Sequence, residues 1–192
     1  MKKVIYRSIT VLIIFSLSVA IGFLSSMIWD SIEKNEYPLK YTEHVEQSSR
    51  QYGVPKKIIY AVIKTESGFD ATAVSSSGAI GLMQIAPATF EEISRKLGDS
   101  YEPGMMYDPA TNIRYGTYYL SYLYKYFEDW DIVYAAYNAG MGTVSGWLED
   151  SQYTDKKGKL VNSPYEETEQ YVKKVNEATK KYTELYGEDL KA

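Results

Sequence analysis

The chain has no cysteine and a single histidine, His44, in 192 residues. Without cysteine there is no disulfide scaffold, no thiol nucleophile and no thiolate metal site. With one imidazole, a metal centre or proton relay built on two histidines is excluded as well. Positive charge is also short. The 21 Lys and Arg against 25 Asp and Glu leave a net charge of −4, which excludes the cationic surface that a nucleic-acid binder turns toward phosphate. Chemistry therefore falls to carboxylates, hydroxyls, amides, lysines and tyrosines, with no metal and no cofactor expected.

Charge is missing altogether from Ser8 to Trp29, a run of 22 residues rich in Ile, Leu, Val and Phe. A bilayer core of about 30 Å needs about 20 helical residues, so the run is long enough to span. Lys2, Lys3 and Arg7 precede it, which keeps that end in the cytoplasm and sends the rest across. Ser18-Val19-Ala20 offers the small residues of a signal-peptide cleavage site. The apolar run continues past it to Trp29, which favours an uncleaved anchor over a cleaved signal. Either way the remainder works on the extracytoplasmic side. Beyond Trp29 stand all 25 acids and 18 of the bases, a net −7. Such a surface does not steer anionic polymers inward, so recognition of an envelope polymer has to come from shape, hydrogen bonds and stacking.

The expected organisation is an anchor or signal segment over 1–29, a tether over 30–44 containing Pro38, and one mostly helical domain over 45–192. Pro55 followed by Ile58, Ile59, Val62 and Ile63 predicts a helix, and Gly68 stops it. Ala73 to Gly81 is small and Ser/Gly-rich and reads as a loop. Helices follow over Pro87–Leu97, Asn112–Phe127, Trp130–Ala139 and Glu166–Tyr186. A Pro/Gly-bearing connection over Asp99–Thr111 joins the first two, and a polar loop or weak hairpin over Asp150–Ser163, with Lys156-Lys157-Gly158-Lys159, precedes the last. His44 reads as a solvated residue at a helix start.

One carboxylate is badly placed for a structural role. Glu66 falls at the C-terminal end of an apolar helix, beside unpaired carbonyls and the negative end of the helix dipole. Both surroundings disfavour its charge and raise its pKa, and a carboxylic acid held protonated near neutral pH can serve as a general acid. An exposed Glu at a frayed helix end is the plainer reading of this feature alone.

The context changes that balance. Glu66-Ser67 is followed by Ser75 to Ser77, Gly81-Leu82-Met83-Gln84 and Pro87-Ala88-Thr89. Further blocks stand at Asp108-Pro109 through Asn112-Ile113, Gly116 and Tyr119-Leu120, at Ala135 to Gly140, and at Glu167-Thr168 with Tyr171-Val172. In these four ordered blocks, over about residues 45–186, the chain resembles the lytic murein transglycosylase family. The resemblance implies a mostly α, lysozyme-like transglycosylase domain behind one N-terminal transmembrane helix. Its substrate would be the glycan strands of peptidoglycan, with the membrane as partner through that helix. Glu66 matches the family's catalytic acid. It would protonate the oxygen between N-acetylmuramic acid and N-acetylglucosamine, then accept the proton of the muramic 6-hydroxyl as a 1,6-anhydro ring closes.

The residues agree independently with a single carboxylate. Hydrolysis ordinarily uses a second Asp or Glu, and no acid stands between Asp70 and Glu91. Asp70 lies past the Gly break and is expected to face solvent, while Asp108 or Glu167 could fold back. The resemblance places Ser75, Ser77, Gln84, Tyr137, Asn138, Glu167 and Tyr171 at the substrate. All but Tyr137 have a plainer alternative: loop-capping serines, an amide that satisfies loop backbone, a loop-fixing asparagine, a glutamate that buttresses the loop, a core tyrosine of the last helix. Tyr137 is expected to offer an exposed ring to a sugar face. Most of the 20 tyrosines are packing or surface residues, because six of them encircle one helix between Tyr115 and Tyr126. Two other functions stay open, a hydrolytic muramidase of the same fold and a non-catalytic wall-binding or secretion-assembly component.

Overall fold

The computed structural model describes residues 2–155 and 159–190, without the side chains of 2–11, 13, 14, 188 and 189. Lys156, Lys157 and Gly158 of the expected polar loop lie outside the described residues. The chain divides into two compact units, Met1–Pro38 and Leu39–Ala192.

The first unit holds one helix, α1 (Lys2–Glu36). Its stretch Phe15–Glu36, 22 residues of which the most apolar 18 have a mean hydropathy of 1.4, is long and apolar enough to cross a membrane. Asp30 to Glu36, expected as the start of a tether, are the last turns of this helix. No breaker precedes Pro38, and Lys34 pairs with Asp30 one turn back at 2.8 Å.

The second unit is built from α2 (Thr42–Tyr52), α3 (Lys56–Ser67), α4 (Pro87–Leu97), α5 (Pro109–Phe127), α6 (Trp130–Ala139), α7 (Met141–Glu149) and α8 (Glu166–Tyr186). A 3₁₀ turn over Pro103–Tyr107 precedes α5, and another, Gly187–Leu190, follows α8. Among the described residues there are no named strands, only isolated bridges such as Val74 to Ile80 and Ile80 to Ile85. α3 packs on α8, and α6 packs between α5 and α8. Residues Ile58 to Ile63 of α3 are all buried, as a helix apolar on every side must be. Tyr182 of α8 stacks on Tyr60 of α3 with ring centres 5.5 Å apart.

Helices α4, α6 and α8 have the boundaries their periodicity predicts. α5 begins at Pro109, three residues before the expected start, because Asp108 caps it by accepting the Thr111 N–H at 2.8 Å. α7 is not among the expected helices, because Gly140 and Gly142 interrupt the pattern after Ala139. Gly140 adopts φ 93° and joins two helices. Its N–H closes α6 on the Ala136 carbonyl at 3.0 Å, and its carbonyl accepts the Val144 N–H at 3.2 Å to open α7. The smallness of Gly116 in α5 is needed for packing. A Cβ there would run into the sulfur of Met83, so the loop before α4 lies directly on the helix backbone.

Candidate active site

The C-terminal end of α3 is fixed by its own sequence. Gly68 takes the left-handed conformation at φ 59° and returns its N–H to the Lys64 carbonyl at 3.1 Å. Phe69 follows in the same region at φ 72°, where a side chain costs about 1–2 kcal/mol, and burial of its ring holds it there. Ser67 then ties the helix end to the loop before α4, donating to the Leu82 carbonyl at 2.8 Å. Glu66 is thereby held one residue from a rigid junction.

Glu66 is largely withdrawn from water, and that burial pushes its carboxyl up to about 7. A hydrogen bond comes to it from Tyr171 of α8, whose hydroxyl donates to Oε1 at 2.7 Å and pulls the value back down. Burial, reinforced by the adjacent carboxylate, holds the Tyr171 phenol well above its ordinary value, so it stays a neutral donor. Tyr137 of α6 feels the same carboxylate, and burial is again the larger cause of its rise. The result is a carboxylic acid with two neutral phenols beside it, poised to give or take a proton near neutral pH.

Removing the Tyr171 hydroxyl isolates its role. The donated bond favours the charged form of Glu66, so Tyr171→Phe should raise the Glu66 pKa further. The alkaline fall in the pH–rate profile should then move upward, as measured on kcat/KM from pH 5 to 9. An unmoved profile with a uniform loss of rate would mean that Tyr171 only packs.

Two recesses of similar size open on this unit. One, of about 320 Å³, lies between the start of α6, α8 and the loop over 159–163. The other, of about 310 Å³, is a groove between the loop before α4 and the end of α6, lined by Ser77, Gln84, Thr89, Tyr119, Tyr137 and Asn138 among others. Glu66 is not among the residues lining the second groove, but Tyr137, whose phenol feels the Glu66 carboxylate, is.

Four expected site residues, Ser77, Gln84, Tyr137 and Asn138, line this groove. Ser77 is exposed, and its hydroxyl lies 2.9 Å from that of Ser75. Ser75 accepts the Ala79 N–H at 2.9 Å and so shapes the loop. Gln84 sits at φ 47° and donates through Nε2 to the carbonyls of Ala73 at 3.0 Å and Gly81 at 2.9 Å. Its amide nitrogen is therefore occupied by loop backbone, and its carbonyl oxygen is the end left for a ligand. Tyr137 differs from the expected freely exposed ring. It is half-buried, donates to the Met83 carbonyl at 2.8 Å, and has its ring centre 5.5 Å from that of Tyr119. Asn138 accepts from the buried Thr168 hydroxyl at 2.7 Å, which joins the end of α6 to α8. Glu167 is exposed in the first turn of α8 and is not among the residues lining the groove.

Two further residues do work that the sequence reading assigned to neither. Thr168 positions Asn138. Asn112, buried on α5, accepts the Met83 N–H at 2.8 Å and donates to the carbonyls of Ile80 at 3.1 Å and Met106 at 2.8 Å. The available signal was an amide four residues before Gly116 and eight before Leu120, in line with the apolar face of its helix. Asp70 and Asp108 are engaged elsewhere. Asp70 accepts from the backbone and hydroxyl of Thr72 at 2.8 and 2.7 Å, and these bonds lower its pKa. Asp108 caps α5. Among the described residues no group of three or more His, Cys, Asp or Glu is placed to hold a metal ion.

Residues 43–160 match the Transglycosylase SLT domain. The chain is similar to the soluble lytic murein transglycosylase of Escherichia coli strain K12, 35% identical over 156 residues, covering 79% of this chain and 24% of that protein. It is similar to membrane-bound lytic murein transglycosylase C of Shigella sonnei, 33% identical over 182 residues, covering 82% of this chain and 50% of that protein. Its structure is similar to that of an inactive Glu-to-Gln mutant of lytic transglycosylase Slt from Pseudomonas aeruginosa. The TM-score is 0.71 at 31% identity, over 80% of this chain and 26% of that one. The chain thus spans about a quarter to a half of the length of these relatives.

Proposed function

Because the chain belongs to the transglycosylase SLT domain family, with its mostly α, lysozyme-like fold, we propose that it cleaves the glycan strands of peptidoglycan with Glu66 as the one proton-transferring group. The observation that carries this is the Glu66 carboxyl itself, withdrawn from water, raised to about 7 and hydrogen-bonded to Tyr171. In its acid form Glu66 donates its proton to the bridging oxygen between N-acetylmuramic acid and N-acetylglucosamine, and the bond from the muramic anomeric carbon to that oxygen breaks. The muramic 6-oxygen then bonds to the anomeric carbon, and its proton returns to Glu66. One C–O bond breaks, one forms, and no water is consumed. The acid is regenerated, so a single group with a pKa near neutrality suits both halves of the cycle.

Ser77, the Gln84 carbonyl oxygen, Tyr137 and Asn138 bind the strand in the groove. Tyr171 tunes Glu66 and Ser75 shapes the loop, and Glu167, exposed in the first turn of α8, is assigned to the strand on the family resemblance. That Asp70 and Asp108 are spent on a turn and a helix cap supports ring closure over hydrolysis, since neither is free to activate water. The inactivity of the Glu-to-Gln Pseudomonas relative supports the dependence on one Glu. α1 serves as a single-pass membrane anchor over about residues 1–29, holding the catalytic domain, about 45–192, on the extracytoplasmic side. α8 lies beyond the matched residues 43–160, yet it supplies Tyr171, so the catalytic unit includes it.

The test is mass spectrometry of the products made from purified peptidoglycan by the full chain in detergent. New muramic ends one water lighter than reducing ends are expected. Reducing ends would make the protein a muramidase, and no Glu66-dependent product would leave a wall-binding component.

A further inference from the structure

Beyond the groove, α4 and α5 present a strip of side chains that the chemistry above does not use. Tyr119 of α5 lines the groove, and so does Thr89 of α4. One turn further along each helix stand Tyr122 and Glu92, and beyond them Tyr126 and Lys96. Residues 119, 122 and 126 are spaced three and four apart, as are 89, 92 and 96, so each set shares one helix face. The two faces meet. The Lys96 ammonium lies over the Tyr122 ring, 4.2 Å from its centre, and pairs with Glu92 at 3.0 Å. The Tyr119 phenol is close enough to Glu92, Tyr122 and Lys96 to feel all three. Tyr122 and Tyr126 are 36% and 61% exposed, so the strip is open to solvent.

We infer that this strip is an extended saccharide-binding site, on which the strand seated in the groove continues along Tyr119, Tyr122 and Tyr126. It rests on the proposed function, because the occupant is the same glycan. Three observations select a sugar strand over other occupants. The strip is continuous with the groove through Tyr119 and Thr89. Its apolar surface is made of tyrosine rings, with Lys96 over one face of Tyr122, and their open surface offers aromatic carbon to the C–H side of a pyranose and a hydroxyl to its polar edge. The polar groups beside the rings, Lys96 and Glu92, supply a donor and an acceptor for acetamido and hydroxyl groups. The stretch from Tyr119 to Tyr126 rises about 10 Å along the helix, close to the length of one disaccharide of an extended β-1,4 strand. Lys96 also holds the Tyr122 ring in place through its cation–π contact.

The experiment measures binding by calorimetry, with the full chain in detergent carrying Glu66→Gln so that strands survive, and uses peptide-free glycan strands of four and of twelve sugars. The twelve-sugar strand is expected to bind about five- to tenfold more tightly than the four-sugar strand. Tyr122→Ala should abolish that difference while leaving four-sugar binding unchanged, and Tyr122→Trp, which keeps a ring, should restore it. Equal affinity for both lengths in the parent would overturn the inference, as would a length dependence that survives Tyr122→Ala. A Tyr122→Ala loss of the same size on both lengths would also overturn it, by placing the effect in the groove. The cleavage reading fails separately, when the Glu66-bearing chain makes no product although the length dependence is intact.

Discussion

Glu66→Gln should reduce strand cleavage by about 10³-fold or more, and it should make the protein more stable at alkaline pH. The first effect follows from removing a general acid that is also the base, a role typically worth about 10²–10⁴-fold for each transfer. The amide keeps the shape of the side chain and an oxygen to accept the Tyr171 hydroxyl, now 2.7 Å from Oε1, but it has no proton to give. The second effect comes from the pKa. In the unfolded chain a Glu titrates near its ordinary 4.5, whereas in the fold burial raises it to about 7. The folded state therefore binds the proton more tightly, and the stability this contributes is complete below about pH 4.5 and lost as pH rises through about 7. Above that pH the parent carries a desolvated carboxylate, whereas the variant carries a neutral amide. The variant should be more stable there by roughly 1–3 kcal/mol, allowing for the partial access of water to the site. Thermal melts at pH 4 and pH 8 check the sign. A variant that loses activity and melts lower than its parent at pH 8 would break this separation of roles, because the lost rate would then report damage to the fold.

The helix end that carries Glu66 was legible in the chain for a physical reason, although the pattern alone favoured an exposed Glu there. Its position depends on a local pattern, an apolar helix ended by glycine, and local patterns survive without knowledge of the rest of the fold. The same holds for α4, α6 and α8, whose ends are marked by Pro87, Gly140 and the Tyr186-Gly187 step. Where a contact depends on distant chain, the sequence carried less. The Tyr137 hydroxyl reaches the Met83 carbonyl across 54 residues, so a ring expected to lie open on the surface is anchored by its tip. The Gln84 nitrogen is consumed by the Ala73 and Gly81 carbonyls of its own loop, a partnership formed with Gln84 in the left-handed backbone region. α7 was hidden by its glycines, although Val144 and Trp147, three apart and both buried, carried a helical signal. The four ordered blocks of the family resemblance reached further than pattern alone. They brought Glu66 and Tyr171 to one site across 105 residues, which no periodicity could do.

The same distance from local pattern hides an asparagine that holds the site's loop to α5. Asn112→Ala should destabilise the protein by about 3–5 kcal/mol and lower its melting temperature by about 10 °C or more. The side chain satisfies three backbone groups on two segments, the Met83 N–H, the Ile80 carbonyl and the Met106 carbonyl. Alanine leaves all of them without this partner, and the site is too closed for easy solvation: Asn112 is 1% exposed, and a Cβ on Gly81 would strike its amide. Asn112→Asp should fare little better. It keeps an acceptor for the Met83 N–H but turns a carboxylate oxygen toward two carbonyls that need a donor. Activity should fall with stability even well below the melting temperature, because Met83 holds Tyr137 through its carbonyl and Leu82 holds Ser67, the neighbour of Glu66. Loosening the 80–83 segment therefore loosens both walls around the acid. The pair of variants separates chemistry from support. At pH 8 Glu66→Gln should lose turnover while gaining stability, and Asn112→Ala should lose both. An Asn112→Ala protein that melts within about 2 °C of its parent, against the shift expected for several kcal/mol, would show that the loop finds other partners, and would remove Asn112 from the account of how the groove is held.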